Sequence, residues 1–318
     1  MKLVIGFLMY NKASAKYLAD FLPSLEKSLE FLDRSDFKIF AFDNSDLDNT
    51  ENRIEIEKFN SIHSNLFDYQ TVNTNLGFGR AYNILINRSI FLGAEYFLLL
   101  NPDMLIKEDA VNFLMENLEN NENYSAVSPK IYYWDYLNKQ KTRIIDSFGL
   151  IVKQGLRFYD LGQGSEDKGQ FDNSEIIGPS GAAGLFRISD LKKISFEDDS
   201  GNSQYFDERF FMYKEDCDLA YRMTLANLNS AIVPTSVFYH DRSSGTNNQS
   251  LLAKLINRFK KSRQIRSWSL KNQNILYKKY WKNQSFVNKL LIIFWFTSSF
   301  IFSLILEQFN LKVYIRKD

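Results

Sequence analysis

The 318-residue sequence predicts an α/β fold, a mostly parallel central sheet flanked by helices, with a basic, apolar helical extension at its C-terminal end. Strand-like and helix-like runs alternate from the N-terminus, the pattern of parallel strands joined by helical crossovers. A nearly unbroken apolar run, Glu95 to Leu100, stops at Asn101-Pro102-Asp103, as expected of a central strand buried on both faces. The third observation is charge. Residues 1 to 241 carry 24 Lys+Arg and 36 Asp+Glu, whereas residues 242 to 318 carry 15 and 2, so the net charge of +1 conceals two halves of opposite sign. An asymmetry of this size implies a separate job for the tail.

Leu3 to Met9 reads as the first strand. Lys2, this apolar run and Ala13-Ser14-Ala15 superficially mimic a signal peptide, but Asn11 and Lys12 interrupt a run already at the short limit, and no export is expected. Ala15 to Leu32 places Leu18, Phe21, Leu22, Leu25 and Leu29 at helical spacing. Lys38 to Phe42 is the next strand and ends in Asp43-Asn44-Ser45-Asp46, a turn-forming cluster. Asn75-Leu76-Gly77-Phe78-Gly79-Arg80 then opens a helix carrying Ala81, Ile84 and Leu85. A glycine-containing loop at a helix start can approach a diphosphate with backbone donors and Arg80, or can simply shape a turn. Pro102 ends the Glu95–Leu100 strand by removing a ladder donor. Asp103 therefore falls just past the carboxyl end of a central strand, where open α/β sheets bind ligands, unless it only begins the turn into a helix over Asp109 to Leu118. His63 lies in a polar stretch and reads as part of a solvated loop. The single cysteine, Cys217, excludes internal disulfides and tells against a cysteine-based zinc site.

Phe206 to Arg222, FDERFFMYKEDCDLAYR, is the most informative segment. It sets Asp207, Glu215, Asp216 and Asp218 among aromatics, where an unpaired carboxylate is costly. Cys217, Leu219, Ala220 and Met223 give a helical period after Lys214, so Glu215, Asp216 and Asp218 fall in its first turn, at the positive end of the helix dipole. Such a carboxylate suits a general base; equally, the cluster reads as an acidic start to an ordinary amphipathic helix.

Taken in order, these segments resemble bacterial family 2 glycosyltransferases with a GT-A fold, closest to rhamnosyltransferase-like members. The resemblance spans roughly Leu3 to Gly245 and rests on VIGFLMYNK (Val4 to Lys12), FAFDNSD (Phe40 to Asp46), NTNLGFGRAYN (Asn73 to Asn83), NPDM (Asn101 to Met104), GPSGAAGLFR (Gly178 to Arg187), FFMYKEDCDLAYR and FYHDRSSG. It implies that Asp43 contacts the nucleoside of a nucleotide-sugar donor and that Asn101 and Asp103 form the shortened metal- and donor-binding motif. It implies too that Asp103 and His240 hold Mg²⁺ or Mn²⁺ and that Asp216 is the base. Asn101 supplies no carboxylate, so the diphosphate would complete the metal shell. Asp218, two residues on, would not share a helical face with Asp216. Gln154 to Phe171 is Gly-rich and, by fold analogy, an irregular loop on the acceptor side.

The tail suggests a membrane surface. Leu251, Leu252, Leu255, Ile256 and Phe259 form an apolar stripe beside Arg258, Lys260, Lys261, Arg263 and Arg266. Trp268, Tyr277, Tyr280 and Trp281 then interleave with lysines, and Leu290 to Leu306 carries no charge. Basic residues, interfacial aromatics and an apolar helix suit an anionic bilayer. Lys289 before this run and Lys312, Arg316 and Lys317 after it do not favour a clean crossing. The alternative is a helix buried against the catalytic domain or a second subunit. No nucleic-acid module is recognisable, and the apolar run does not fit one.

The sequence thus predicts a GT-A domain over residues 1–245 and a helical, membrane-associating region over 246–318, with a chain cut near residue 245 keeping the transferase fold. The expected activity is inverting transfer, favouring L-rhamnose from dTDP-rhamnose, to a hydroxyl of a lipid-linked surface polysaccharide intermediate at the cytoplasmic face of a bacterial inner membrane. A UDP-sugar (galactofuranosyl) transferase is the alternative donor reading. A sugar nucleotidylyltransferase or a non-catalytic membrane adaptor are the rivals from other classes, and homo-oligomerisation stays open.

Overall fold

The structure is a computed structural model that describes residues 1–46, 50–198, 200–242 and 258–315. The stripe positions Leu251, Leu252, Leu255 and Ile256, and Arg316 and Lys317, lie outside the described residues. The first half runs β1 (Leu3–Met9), α1 (Asn11–Lys27), β2 (Phe37–Asp43), α2 (Thr50–Ile62), β3 (Phe67–Thr71), α3 (Phe78–Phe91), β4 (Tyr96–Leu100), β5 (Met104–Ile106) and α4 (Ala110–Asn120). Next come β6 (Tyr124–Asp135), β7 (Gln140–Ser147), the hairpin β8 (Leu150–Lys153) and β9 (Arg157–Asp160), β10 (Ala183–Arg187) and α5 (Ile188–Lys193). The hairpin β11 (Phe196–Glu197) and β12 (Ser203–Gln204), then α6 (Glu215–Leu225) and β13 (Asn229–His240), complete the body. The tail holds α7 (Arg263–Tyr280), α8 (Phe286–Leu306) and the short α9 (Lys312–Ile315).

The main sheet has the order β3-β2-β1-β4-β10-β6-β13-β5, with β7 branching from β6. It is parallel from β3 to β4 and mixed beyond, because β10 runs antiparallel to both β4 and β6 while β13 lies parallel to β6. The central strands are buried on both faces. Leu3, Ile5, Phe7 and Met9 of β1, with Leu98 and Leu100 of β4, pack under α1 and α4; Val4, Phe97 and Leu99 face α3 and α6. This two-sided burial explains why Glu95–Leu100 reads as a continuous apolar run. Gly6 lets α3 close on the sheet: a Cβ there would stand 2.8 Å from Leu85 and 2.9 Å from Phe97.

Three sequence expectations change. Gln154 to Phe171 is not wholly irregular, since β9 pairs with β8 from Leu150↔Asp160 to Lys153↔Arg157. His63 is not a free loop residue: its Nδ1 lies 2.7 Å from Glu26 Oε1 and its ring stacks on Phe59 at 4.0 Å. The tail, finally, splits in two. Ile275, Leu276, Tyr277 and Tyr280 of α7 share a buried cluster with Leu150, Leu156, Phe210, Cys217 and Ala220 of the body, joined from α8 by Ile292. The boundary at 245/246 therefore does not separate two cores. Burial against the body describes α7; α8 touches the body through Ile292 and Asn288 but leaves Phe286, Leu290, Ile293, Phe294, Ile301, Leu304 and Ile305 exposed. α8 is 21 residues long with a mean hydropathy of 2.0 over its most apolar window, 11% of it buried. Among the described residues it is the one helix long and apolar enough to cross a membrane. Glu307 at its end is buried and paired with Arg258 (2.7 Å) and Arg266 (2.8 Å), which folds α8 back toward the start of α7.

Candidate active site

The loops leaving β2 and β4 lie at the carboxyl end of the parallel half-sheet. Asp43, the last residue of β2, is fully buried. Its Oδ1 accepts from the Ser45 N–H (3.1 Å), and its Oδ2 accepts from Asn52 Nδ2 (3.1 Å) and the Tyr69 hydroxyl (3.0 Å). Both oxygens are thus engaged inside the fold, and Asp43 orders its loop. Asn44 ties this loop to the glycine-containing one: its Oδ1 accepts from Leu76 N–H at 2.9 Å and its Nδ2 donates to Gly77 O at 3.1 Å. Gly77, at φ +76, is needed here, because a Cβ would stand 2.4 Å from Phe211 O. Arg80, in the first turn of α3, is largely exposed, with its Nε 3.6 Å from Glu208.

Asn101 and Asp103 follow β4 and are both partly exposed. The Asn101 N–H donates to Ala182 O (2.9 Å), which aligns this loop with the segment entering β10. His240, at the end of β13 where it pairs with Met104, sets its Nε2 3.1 Å from Asp103 Oδ1 and its Nδ1 2.7 Å from Asp146 Oδ2. Asp146 in turn accepts from Arg242 (2.9 Å), and Arg242 reaches Asp160 (3.1 Å). Burial pushes the His240 imidazole down, but the Asp103 and Asp146 carboxylates outweigh it and raise it to about 10. Burial likewise opposes Asp146, which His240 and Arg242 hold down to about 2.

This arrangement suits a divalent cation once the imidazole, held protonated between the two carboxylates, gives up its Nε2 proton to make room for the metal. Asp146 fixes the imidazole through Nδ1 and aims Nε2 at Asp103, the carboxylate–histidine pairing usual behind a metal-ligating histidine. Neighbouring donors in an octahedral shell of about 2.1 Å lie about 3.0 Å apart, close to the 3.1 Å between Nε2 and Oδ1. Among the described residues no group of three or more His, Cys, Asp or Glu side chains converges on one point. The protein thus offers two donors, and a diphosphate and water would have to complete the shell.

The acid-rich segment separates into roles. Asp207 and Asp218 are buried and paired: Lys279 of α7 lies 2.7 Å from each, Arg209 chelates Asp207, and Arg222 and the Tyr280 hydroxyl bind Asp218. Glu215 is buried, its Oε2 has no hydrogen-bond partner, and burial together with the adjacent Asp216 pushes its carboxyl well up. Asp216 alone of the four is half-exposed without a cationic partner among the described residues. Its Oδ2 accepts from the Gly181 N–H (2.9 Å) and its Oδ1 from the Cys217 N–H (2.7 Å). Gly181 precedes Ala182, whose carbonyl accepts from the Asn101 N–H, so one stretch of backbone binds both Asp216 and the loop that carries Asp103. Gly178 and Gly181 keep it close to α6, since Cβ atoms there would lie 2.7 Å from Ala220 and 3.2 Å from Asp216.

Asp146, Asp160 and Arg242 were missed in the sequence. The signal existed for Asp146, an acid between Ile144, Ile145 and Phe148, the same contrast that singled out residues 206–222. Arg242 follows His240 by two positions, but nothing local to either residue shows that they share a carboxylate.

No family model and no curated protein matches the sequence. Solved structures do match. GalNAc-T7, solved with UDP, GalNAc and Mn²⁺, superposes with a TM-score of 0.60 at 10% identity, over 87% of this chain and 48% of that one. The mannosyltransferase PcManGT from Pyrobaculum calidifontis, solved with GDP-Man and Mn²⁺, gives 0.51 at 12% identity, over 98% and 84%. S. aureus TarS gives 0.50 at 17%, over 86% and 43%. The chain spans under half the length of TarS and GalNAc-T7. The fold of this chain is the GT-A fold of glycosyltransferases, with a C-terminal helical extension.

Proposed function

We propose that the protein is an inverting, nucleotide-sugar-dependent glycosyltransferase. The observation that carries this reading is Asp216: a half-buried carboxylate oriented by two backbone N–H groups, on a stretch of backbone that also binds Asn101 of the loop carrying Asp103. Asp216 would take the proton of an acceptor hydroxyl as that oxygen attacks the anomeric carbon from the face opposite the leaving nucleoside diphosphate. One base and one in-line displacement suffice for inversion. Arg80 and the N-terminal amides of α3 would face the diphosphate, where positive charge counts most as the bond breaks. A divalent ion held by Asp103, His240 and the diphosphate would add charge stabilisation to the leaving group. L-Rhamnose from dTDP-rhamnose is the donor favoured by the resemblance of residues 3–245 to rhamnosyltransferase-like family 2 sequences. A lipid-linked saccharide acceptor, and a peripheral site on the cytoplasmic face of a bacterial inner membrane, are supported by the exposed apolar face of α8 and the basic tail.

The test is a panel of nucleotide sugars, dTDP-rhamnose and UDP-galactofuranose included, assayed for acceptor-dependent nucleoside diphosphate release. Asp216→Asn should lose about 100- to 10,000-fold in transfer with donor binding nearly intact. Asp103→Ala and His240→Ala should instead weaken donor binding, and chelator should lower activity until Mn²⁺ or Mg²⁺ is restored. Transfer by Asp216→Asn at the wild-type rate removes the base; full activity in excess chelator removes the metal.

A further inference from the structure

We infer that Asn272, in the C-terminal helix α7, is a positioning residue for the turn that carries Glu215 and Asp216. The inference rests on Asp216 being the reacting carboxylate, but the geometry behind it stands apart from that reading. Tyr213 and Lys214 are consecutive non-glycine residues at φ 74 and φ 70. L side chains adopt that left-handed region only when the surroundings impose it. Lys214 is also the residue from which α6 starts; its carbonyl accepts from the Asp218 N–H (3.0 Å), but no side chain caps the helix there. The holding group comes from the tail. Asn272 is 1% exposed, and its Nδ2 donates to both Met212 O (2.8 Å) and Tyr213 O (2.7 Å). These are the carbonyls of two successive peptides, one on either side of Tyr213. On the opposite side, Phe211 O accepts from the Phe78 N–H (2.9 Å) at the start of α3, and the Phe211 ring packs on Trp268 of α7 at 5.1 Å. The turn is therefore clamped between the glycine-containing loop and α7. Asn272 touches no group placed in the chemistry; it acts through the backbone, by fixing where α6 begins and hence where Asp216 meets Gly181.

Cys217, the single cysteine, reports on this turn: it is 7% exposed, and its N–H holds Asp216 Oδ1. The experiment compares the full chain with Asn272→Asp, which keeps the shape but removes the amide donor, and with Asn272→Ala. The control is Gln273→Ala, which breaks a neighbouring α7 bond to Leu156 O (3.0 Å) without touching the turn. Cys217 labelling by a thiol reagent should accelerate at least tenfold in both Asn272 variants and stay at the wild-type rate in the control. In the transfer assay the Asn272 variants should lower kcat about tenfold or more with the donor KM little changed, because the glycine-containing loop keeps its own bonds to Asn44 and to Phe211 O, neither of which involves Asn272. Wild-type labelling rates in both Asn272 variants would overturn the inference. So would equal acceleration in Gln273→Ala, which would mean general loosening of α7. Faster labelling in the Asn272 variants alone, with no transfer by wild-type protein from any nucleotide sugar, would leave the clamp standing and sink the transferase reading. Should neither variant fold, amide exchange of the wild-type chain decides. Residues 214–217 should then open together with 270–274 as one cooperative unit, and opening of 214–217 alone, tenfold or more faster, counts against the clamp.

Discussion

Lys279→Met tests whether the C-terminal helix belongs to the body of the fold. Lys279 Nζ lies 2.7 Å from Asp207 Oδ2 and 2.7 Å from Asp218 Oδ1, carboxylates whose side chains are 1% and 0% exposed. Methionine keeps most of the stem volume, so the perturbation is chiefly loss of charge and of two charge-assisted hydrogen bonds. Such bonds are worth about 1.5–3 kcal/mol each, and removing one partner of a buried ion pair costs about 3–5 kcal/mol. Each carboxylate keeps an arginine, Arg209 or Arg222, and Asp218 also keeps Tyr280. The lower end of the range, about 3 kcal/mol, is therefore expected, and for a chain of 318 residues it lowers Tm by roughly 4–5 °C. The effect has a pH signature. Burial acts to raise Asp207, but Arg209 and Lys279 outweigh it and hold it down at about 2. A depressed carboxyl contributes stability that is present above its unfolded value, near 3.8, and lost as pH falls through about 2. The Tm gap between wild type and Lys279→Met should thus be full at neutral pH and narrow as pH falls from about 4 toward 2. Thermal unfolding followed by circular dichroism reads both. A Tm within about 1 °C of wild type at neutral pH would show that α7 lies against the body without supporting it.

The same contacts reverse the expectation for a chain cut near residue 245. That cut strips cover from Phe210, Cys217 and Ala220 and removes Asn272, Lys279 and Tyr280, so it should give insoluble or unfolded protein, whereas a cut after Gln284 keeps α7 and should remain folded. Recovery of well-folded 1–245 by circular dichroism would contradict this. In flotation assays the full chain should bind anionic vesicles more than neutral ones, less so in high salt, and the 1–284 chain should lose most of this binding, because α8 carries the exposed apolar face. Glu215→Gln should stabilise the protein increasingly as pH rises above about 4.5. Burial and Asp216 push this carboxyl well up, so ionising it costs folding free energy that grows with pH from the unfolded value to the folded one, and glutamine removes that cost. A Tm difference constant with pH would refute it.

Features that depend on near neighbours were legible in the residues alone. Two-sided burial of β1 and β4 shows as apolar runs, Pro102 marks the end of β4, and the spacing after Lys214 places the start of α6, because strand burial, ladder donors and helical period are short-range properties. The charge of the tail and the apolar length of α8 were legible for the same reason. Which carboxylate of Asp207, Glu215, Asp216 and Asp218 stays open was not, because beyond the nearby Arg209 and Arg222 the groups that close over Asp207 and Asp218, Lys279 and Tyr280, arrive from far along the chain. Lys279 is 72 residues from Asp207, and Asp146 is 94 residues from His240. The tail, too, looked uniform in composition, yet α7 buries its Ile275–Tyr277 face against Cys217 and Ala220 while α8 leaves its apolar face open. Periodicity states that a helix has an apolar face; only the tertiary structure supplies, or withholds, the surface that covers it.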